Sequence, residues 1–130
     1  MAHVVTFRSS KFDIATETPN PINPIAGESV LLWLCEQLRN SSYQTTTPEA
    51  EDWGWYVDAS GAGASYLVGA SADTNERGAS IDWTVQIHKH RSLIDRFTGA
   101  NKMAADDPLS VLVERIIRSD PAIGDVERET

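Results

Sequence analysis

The sequence predicts an α+β fold: a two-layer sandwich in which an antiparallel sheet of about four strands carries two main helices on one face. Three observations lead there. Residues 80–90, SIDWTVQIHKH, alternate strictly, with Ile81, Trp83, Val85 and Ile87 on one parity and Asp82, Thr84, Gln86, His88 and His90 on the other. Successive side chains of an extended chain point to opposite sides, so this is a strand with one apolar face. Two other segments carry apolar residues at helical spacing, and three strand-like runs follow one another across polar loops, as in an antiparallel meander.

Taken in order, residues 3–8, HVVTFR, are rich in β-branched and aromatic side chains and predict a short first strand. Residues 15–27 read as a loop, punctuated by Pro19, Asn20, Pro21, Asn23, Pro24 and Gly27. A helix follows from residue 27 or 28 to 39. Val30, Leu31, Leu34, Cys35 and Leu38 form its stripe, with Glu28 at the positive end of the dipole and Arg39 at the negative end. The stretch SSYQTTTPEAED reads as a polar connection.

In DWGWYVD, Trp53, Trp55 and Val57 share one parity and Gly54, Tyr56 and Asp58 the other. ASGAGA is a permissive turn, and ASYLVGAS is a second strand in which Gly69 marks a bulge or a close approach. SADTNERG is a polar loop before the strand at 80–90. Ser92 then caps LIDRF, with Asp95 completing a capping box, and Gly99 ends that turn or two. Asp107-Pro108 starts the last helix, whose Leu109, Leu112, Val113, Ile116 and Ile117 lie on one stripe until Asp120-Pro121. Residues 122–130 look like a frayed tail. The order is β-α-β-β-β-α, and 130 residues suit one domain spanning 1–130.

The net charge of −8 is uneven. Residues 1–76 hold three basic and ten acidic groups, whereas residues 77–130 hold eight and nine. Duplex binding relies on counterion release by cations, so no nucleic-acid partner is expected. No run approaches the ~18 apolar residues of a membrane span, and the N-terminal stretch MAHVVTFRSS lacks the pattern of a signal peptide. Cys35, the one cysteine, lies in an apolar helical run and has no internal partner, which suits a reducing compartment. The expectation is a cytoplasmic protein.

Catalytic motifs are missing: there is no Gly-x-Ser-x-Gly elbow, phosphate loop or Cys-x-x-Cys, and GAGAS precedes a strand rather than a helix. No cofactor is expected. His88 and His90 share a strand face, but Asp82 lies roughly 20 Å away at 3.3 Å per residue, so a metal site would need Asp58 or His3 from another strand. The plainer reading is a pair of solvent-facing imidazoles, and no metal is assigned. A basic cluster, His88, Lys89, His90, Arg91, Arg96 and Lys102, opposed only by Asp95, marks the strand-to-helix junction.

These observations point first to an interaction or regulatory module that binds another macromolecule, a protein, through Tyr56, Gln86, His88, His90, Arg91 and Arg96. An enzyme or small-anion binder at the 88–96 junction is the competing class. An acidic inhibitor or immunity-type protein against a basic target is the third. A bare sheet face or free edge strand also leaves room for a homodimer.

Overall fold

The computed structural model describes residues 2–72 and 80–129. The chain forms β1 (Ala2–Ser9), a 3-10 turn at Ile14–Thr16, α1 (Glu28–Leu38), β2 (Gln44–Thr45), β3 (Glu49–Glu51), β4 (Gly54–Gly61) and β5 (Ala64–Ala72). β6 (Ile81–Lys89), α2 (Leu93–Thr98), α3 (Pro108–Ser119) and β7 (Ile123–Glu129) complete it. The fold is α+β with an antiparallel sheet, as expected, but among the described residues the sheet has seven strands rather than about four. Its order is β2-β4-β5-β6-β1-β7, with β3 also pairing β4.

Three strands make up the difference. β2 and β3 come from the stretch read as a polar connection and are two and three residues long, too short for alternation to show. β7 comes from the tail expected to fray, which instead pairs with β1. Its pattern is illegible because the register with β1 shifts between Thr6 and Arg8, and Asp125 there takes a φ of 53°. That bulge puts Ile123 and Val126 out of step with a period of two. The polar loop expected over residues 71–78 lies largely outside the described residues.

The long strands alternate as the sequence requires. Val5 and Phe7 of β1, Trp55 and Val57 of β4, Tyr66 and Val68 of β5, and Trp83, Val85 and Ile87 of β6 are buried. They join Val30, Leu31, Leu34 and Leu38 of α1 and Leu109, Val113 and Ile117 of α3 in one core cluster. The alternate positions, among them Tyr56, Asp58, Leu67, Gln86 and His88, are half-buried or exposed and form a polar face. Phe12 stacks edge-on against Phe7, Trp33 and Trp83, and Lys11 covers the half-buried Trp33 ring.

Trp55 and Trp83 are buried in the core, whereas Trp53, of the same parity, is not. Trp53 precedes β4 in a turn, and its ring lies over Gly69. A Cβ at Gly69 would come within 2.4 Å of the Trp53 ring. Gly69 is therefore the close approach the sequence suggested, and what approaches is the Trp53 ring. A second glycine lets backbones meet: a Cβ on Gly27 would lie 2.1 Å from the carbonyl oxygen of Ala70.

The helix ends follow the expected chemistry, with one addition. Asp107 accepts from the Leu109 and Ser110 amides, and Ser92 and Asp95 form a complete capping box. For α1 the cap is remote: the Glu17 carboxylate accepts from the amides of Gly27, Glu28 and Ser29. A negative group there meets both the orphan amides and the positive end of the helix dipole.

Candidate functional site

The six expected site residues fall in different places: Tyr56 on β4, Gln86 and His88 on β6, His90 and Arg91 just beyond it, and Arg96 on α2. The registers Tyr56↔Gly69 and Gly69↔Gln86 put Tyr56 and Gln86 in one row of the polar face, two strands apart. The Trp53 ring covers the Gly69 between them. Gln86 Oε1 lies 2.8 Å from His88 Nε2, so these two form a unit. The His88 imidazole is held below its ordinary pKa, chiefly by desolvation, which favours its neutral form. Tyr56 donates instead to Glu49 at 2.7 Å, and that carboxylate raises the phenol's pKa.

His90 lies just past the end of β6, where its amide donates to the carbonyl of Ser65 and its Nε2 is 3.8 Å from Asp58. Lys89 has the opposite parity and turns inward, its Nζ 3.8 Å from the buried Asp107 carboxylate. That carboxylate also accepts from Tyr66 at 3.0 Å. Arg91 folds back over α2, donating to the carbonyls of Ala100 and Asp95. Arg96 is exposed on α2. His3 lies on the buried side of β1 against Arg128 and so does not meet the histidines of β6. Among the described residues, no group of three or more His, Cys, Asp and Glu side chains is placed to hold a metal ion.

An open groove of about 610 Å³ runs between the β4–β5 turn and α2, lined by Gly61, Gly63, His90, Arg91, Asp95 and Asn101 among others. An adjoining one of about 420 Å³ shares His90 and reaches Asp58 and Thr46. The cations around these grooves are already engaged: Lys89 with Asp107, Arg91 with two carbonyls.

The helical turn capped by Ser92 and ended by Gly99 forms as expected; what sequence reasoning missed is the exposed apolar side of this helix, α2. Its six residues are held by polar staples: the capping box, the Arg91 clamp, and Gly99 at a φ of 77° as the C-cap. Hydrogen bonds from Asn101 and Ser92 keep the Asp95 carboxyl below its usual pKa, so it stays charged in that cap. None of its residues is buried. Leu93, Ile94 and Phe97 are 81%, 74% and 94% exposed. Spaced i, i+1 and i+4, they share one side of the helix. Arg96 and Lys102 lie nearby in sequence. The signal was present in LIDRF: a stripe of three large apolar residues on a helix too short to bury them, bounded by a cap and a glycine.

A scan against protein-family models, a search of curated proteins and a search of solved structures each return no match. Among the described residues, no helix is long and apolar enough to cross a membrane.

Proposed function

We propose that this chain is a cytoplasmic protein-interaction module, built as a two-layer α/β sandwich, whose contact element is α2. The observation that carries this reading is the exposure of Leu93, Ile94 and Phe97 on a helix stapled in place by its own polar groups. Isolated exposed apolar residues are ordinary, but three on one side of a rigid projection form an anchor of the kind that dominates interface energetics. Arg96 and Lys102 beside them add a steering charge. The contact surface thus moves from the polar sheet face to the helix that follows it, with Arg91 holding the helix and Arg96 flanking the anchors.

The small-anion or enzyme reading has less behind it. Lys89 and Arg91 are spent on groups of the protein itself, and α2 is too short to offer a helix-terminus anion site. The unpaired Cys35 accords with a reducing compartment.

The test compares immobilised wild type with Phe97→Asp and Leu93→Ser/Ile94→Ser on extract from the native host. A protein retained by wild type alone, then identified and shown to bind in purified form with the same dependence, supports the reading. Identical bound sets for all three baits overturn it.

A further inference from the structure

The partner that fits α2 is visible on the chain itself. Residues 88–102 contain Lys89, Arg91, Arg96 and Lys102 against Asp95 alone, within a protein of net charge −8. Residues 40–72 contain Glu49, Glu51, Asp52 and Asp58 and no Lys or Arg. Glu49 and Glu51 lie on β3, opposite Tyr56 and Gly54 of β4. Apolar groups accompany these carboxylates: Trp53, half-buried over Gly69, and Ile22, which is 58% exposed. Ile22 is kept there because the Asn20 side chain donates to the carbonyls of Glu51 and Gly54, and that of Asn23 to the carbonyl of Asp52.

The two patches match in kind. Lys89 faces Asp107 and Arg91 clamps α2, so one patch projects apolar anchors flanked by Arg96 and Lys102; the other offers an apolar shelf flanked by Glu49 and Glu51. They cannot meet within one copy. The acidic patch sits at the start of β4, and α2 sits beyond its end, against the β4–β5 turn. Eight residues of strand separate them by about 25 Å at roughly 3.3 Å per residue. In two copies laid antiparallel along β4, each α2 would meet the other's acidic shelf, and both contacts would form at once. This is the reciprocal pattern a two-fold dimer requires.

We propose that α2 docks on the Ile22, Trp53, Glu49 and Glu51 surface of a second copy, giving a two-fold homodimer. The inference rests on the reading of α2 as a docking element and names its partner. β7, the last strand of the sheet among the described residues, offers a weaker surface for self-association, because Asp125, Glu127 and Glu129 and the bulge guard its edge.

Sedimentation velocity of the purified chain over a micromolar to millimolar series tests this. The expected result is a monomer–dimer equilibrium that weakens as salt rises, since the flanking charges are exposed. Phe97→Asp weakens it by about 100-fold, as for a central anchor. Arg96→Glu and Glu51→Lys each weaken it by about 10-fold, and an equimolar mixture of those two variants recovers wild-type affinity, because every cross-contact is again between opposite charges. Circular dichroism confirms that each exposed-site variant remains folded. A dimer indifferent to Phe97 and Arg96 overturns the inference. A strictly monomeric protein whose purified foreign partner needs Phe97 also overturns it, while the broader reading stands. Phe97-dependent binding to phosphatidylserine vesicles without self-association overturns both.

Discussion

Arg128 donates a hydrogen bond to Nδ1 of His3 at 2.8 Å, tying the last strand to the first across 125 residues. The same guanidinium donates to the carbonyl of Ala105 and lies 3.5 Å from Glu114 of α3. His3 is buried, and burial, with Arg128 beside it, lowers its pKa below 6.5; Asp107, Glu114 and a hydrogen bond to Ala104 oppose the shift only in part. A neutral imidazole accepts from Arg128, whereas a protonated one would face it as a second cation.

The folded state binds this proton less readily than the unfolded chain, so His3 contributes fully above pH 6.5 and its contribution is lost as pH falls below that value. The melting temperature should drop as pH falls below 6.5, and His3→Gln, which cannot titrate, should flatten that segment. Equal slopes for the two proteins would remove His3 as the cause.

Asp107 is the second buried group with many dependants. It caps α3, accepts from Tyr66 and faces Lys89. The Tyr66 phenol, desolvated and bonded to this carboxylate, has a pKa raised well beyond its usual value and stays neutral. Asp107→Ala should cost about 3–5 kcal/mol, because it strands a cation and a hydroxyl as well as a helix end. Urea denaturation measures it; a loss no larger than that of an ordinary cap, about 1 kcal/mol, would show the buried contacts to be neutral.

Exposed and buried apolar residues should separate cleanly in stability. Phe97→Ser should change unfolding free energy by less than about 0.5 kcal/mol, since the ring is 94% exposed. Ile117→Ala in α3, where the side chain is fully buried, should cost about 2–5 kcal/mol. A destabilised Phe97→Ser monomer would mean that the ring packs on its own fold.

Gly27→Ala should cost about 1–3 kcal/mol, because its Cβ would strike the Ala70 carbonyl, a strand backbone atom that cannot swing aside. Gly124→Ala meets nothing within 4 Å and serves as the control. Comparable thermal shifts for both would falsify the packing argument.

The β4–β5 turn holds Ala62 at a φ of 52° and Gly63 at 77°, the pair of positive values a two-residue type I′ turn needs. Alanine is strained there, and asparagine tolerates that region. Ala62→Asn should therefore raise stability by about 0.5–1 kcal/mol, read as a higher urea midpoint with unchanged slope.

Alternation in 80–90, the stripes of α1 and α3, and the Ser92 and Asp107 caps were all legible in the chain, because each depends on residues a few positions apart. Trp53 shows where that logic stops. Its parity matches Trp55, but β4 begins one residue later, at Gly54. What the ring covers is then set by the neighbouring strand, which leaves room only because residue 69 is glycine. The basic cluster marks the segment that carries α2, but not which of its cations the fold itself would consume.

Local pattern thus settled the α+β class, the meander and the helix ends, since periodicity and capping act through near neighbours. Tertiary structure alone decided that 123–129 is a strand, that Glu17 caps a helix ten residues on, and that His3 meets Arg128. It also decided that Leu93, Ile94 and Phe97 stay in water. An apolar stripe says that a side chain favours burial, but whether a surface lies opposite to receive it depends on where distant segments pack.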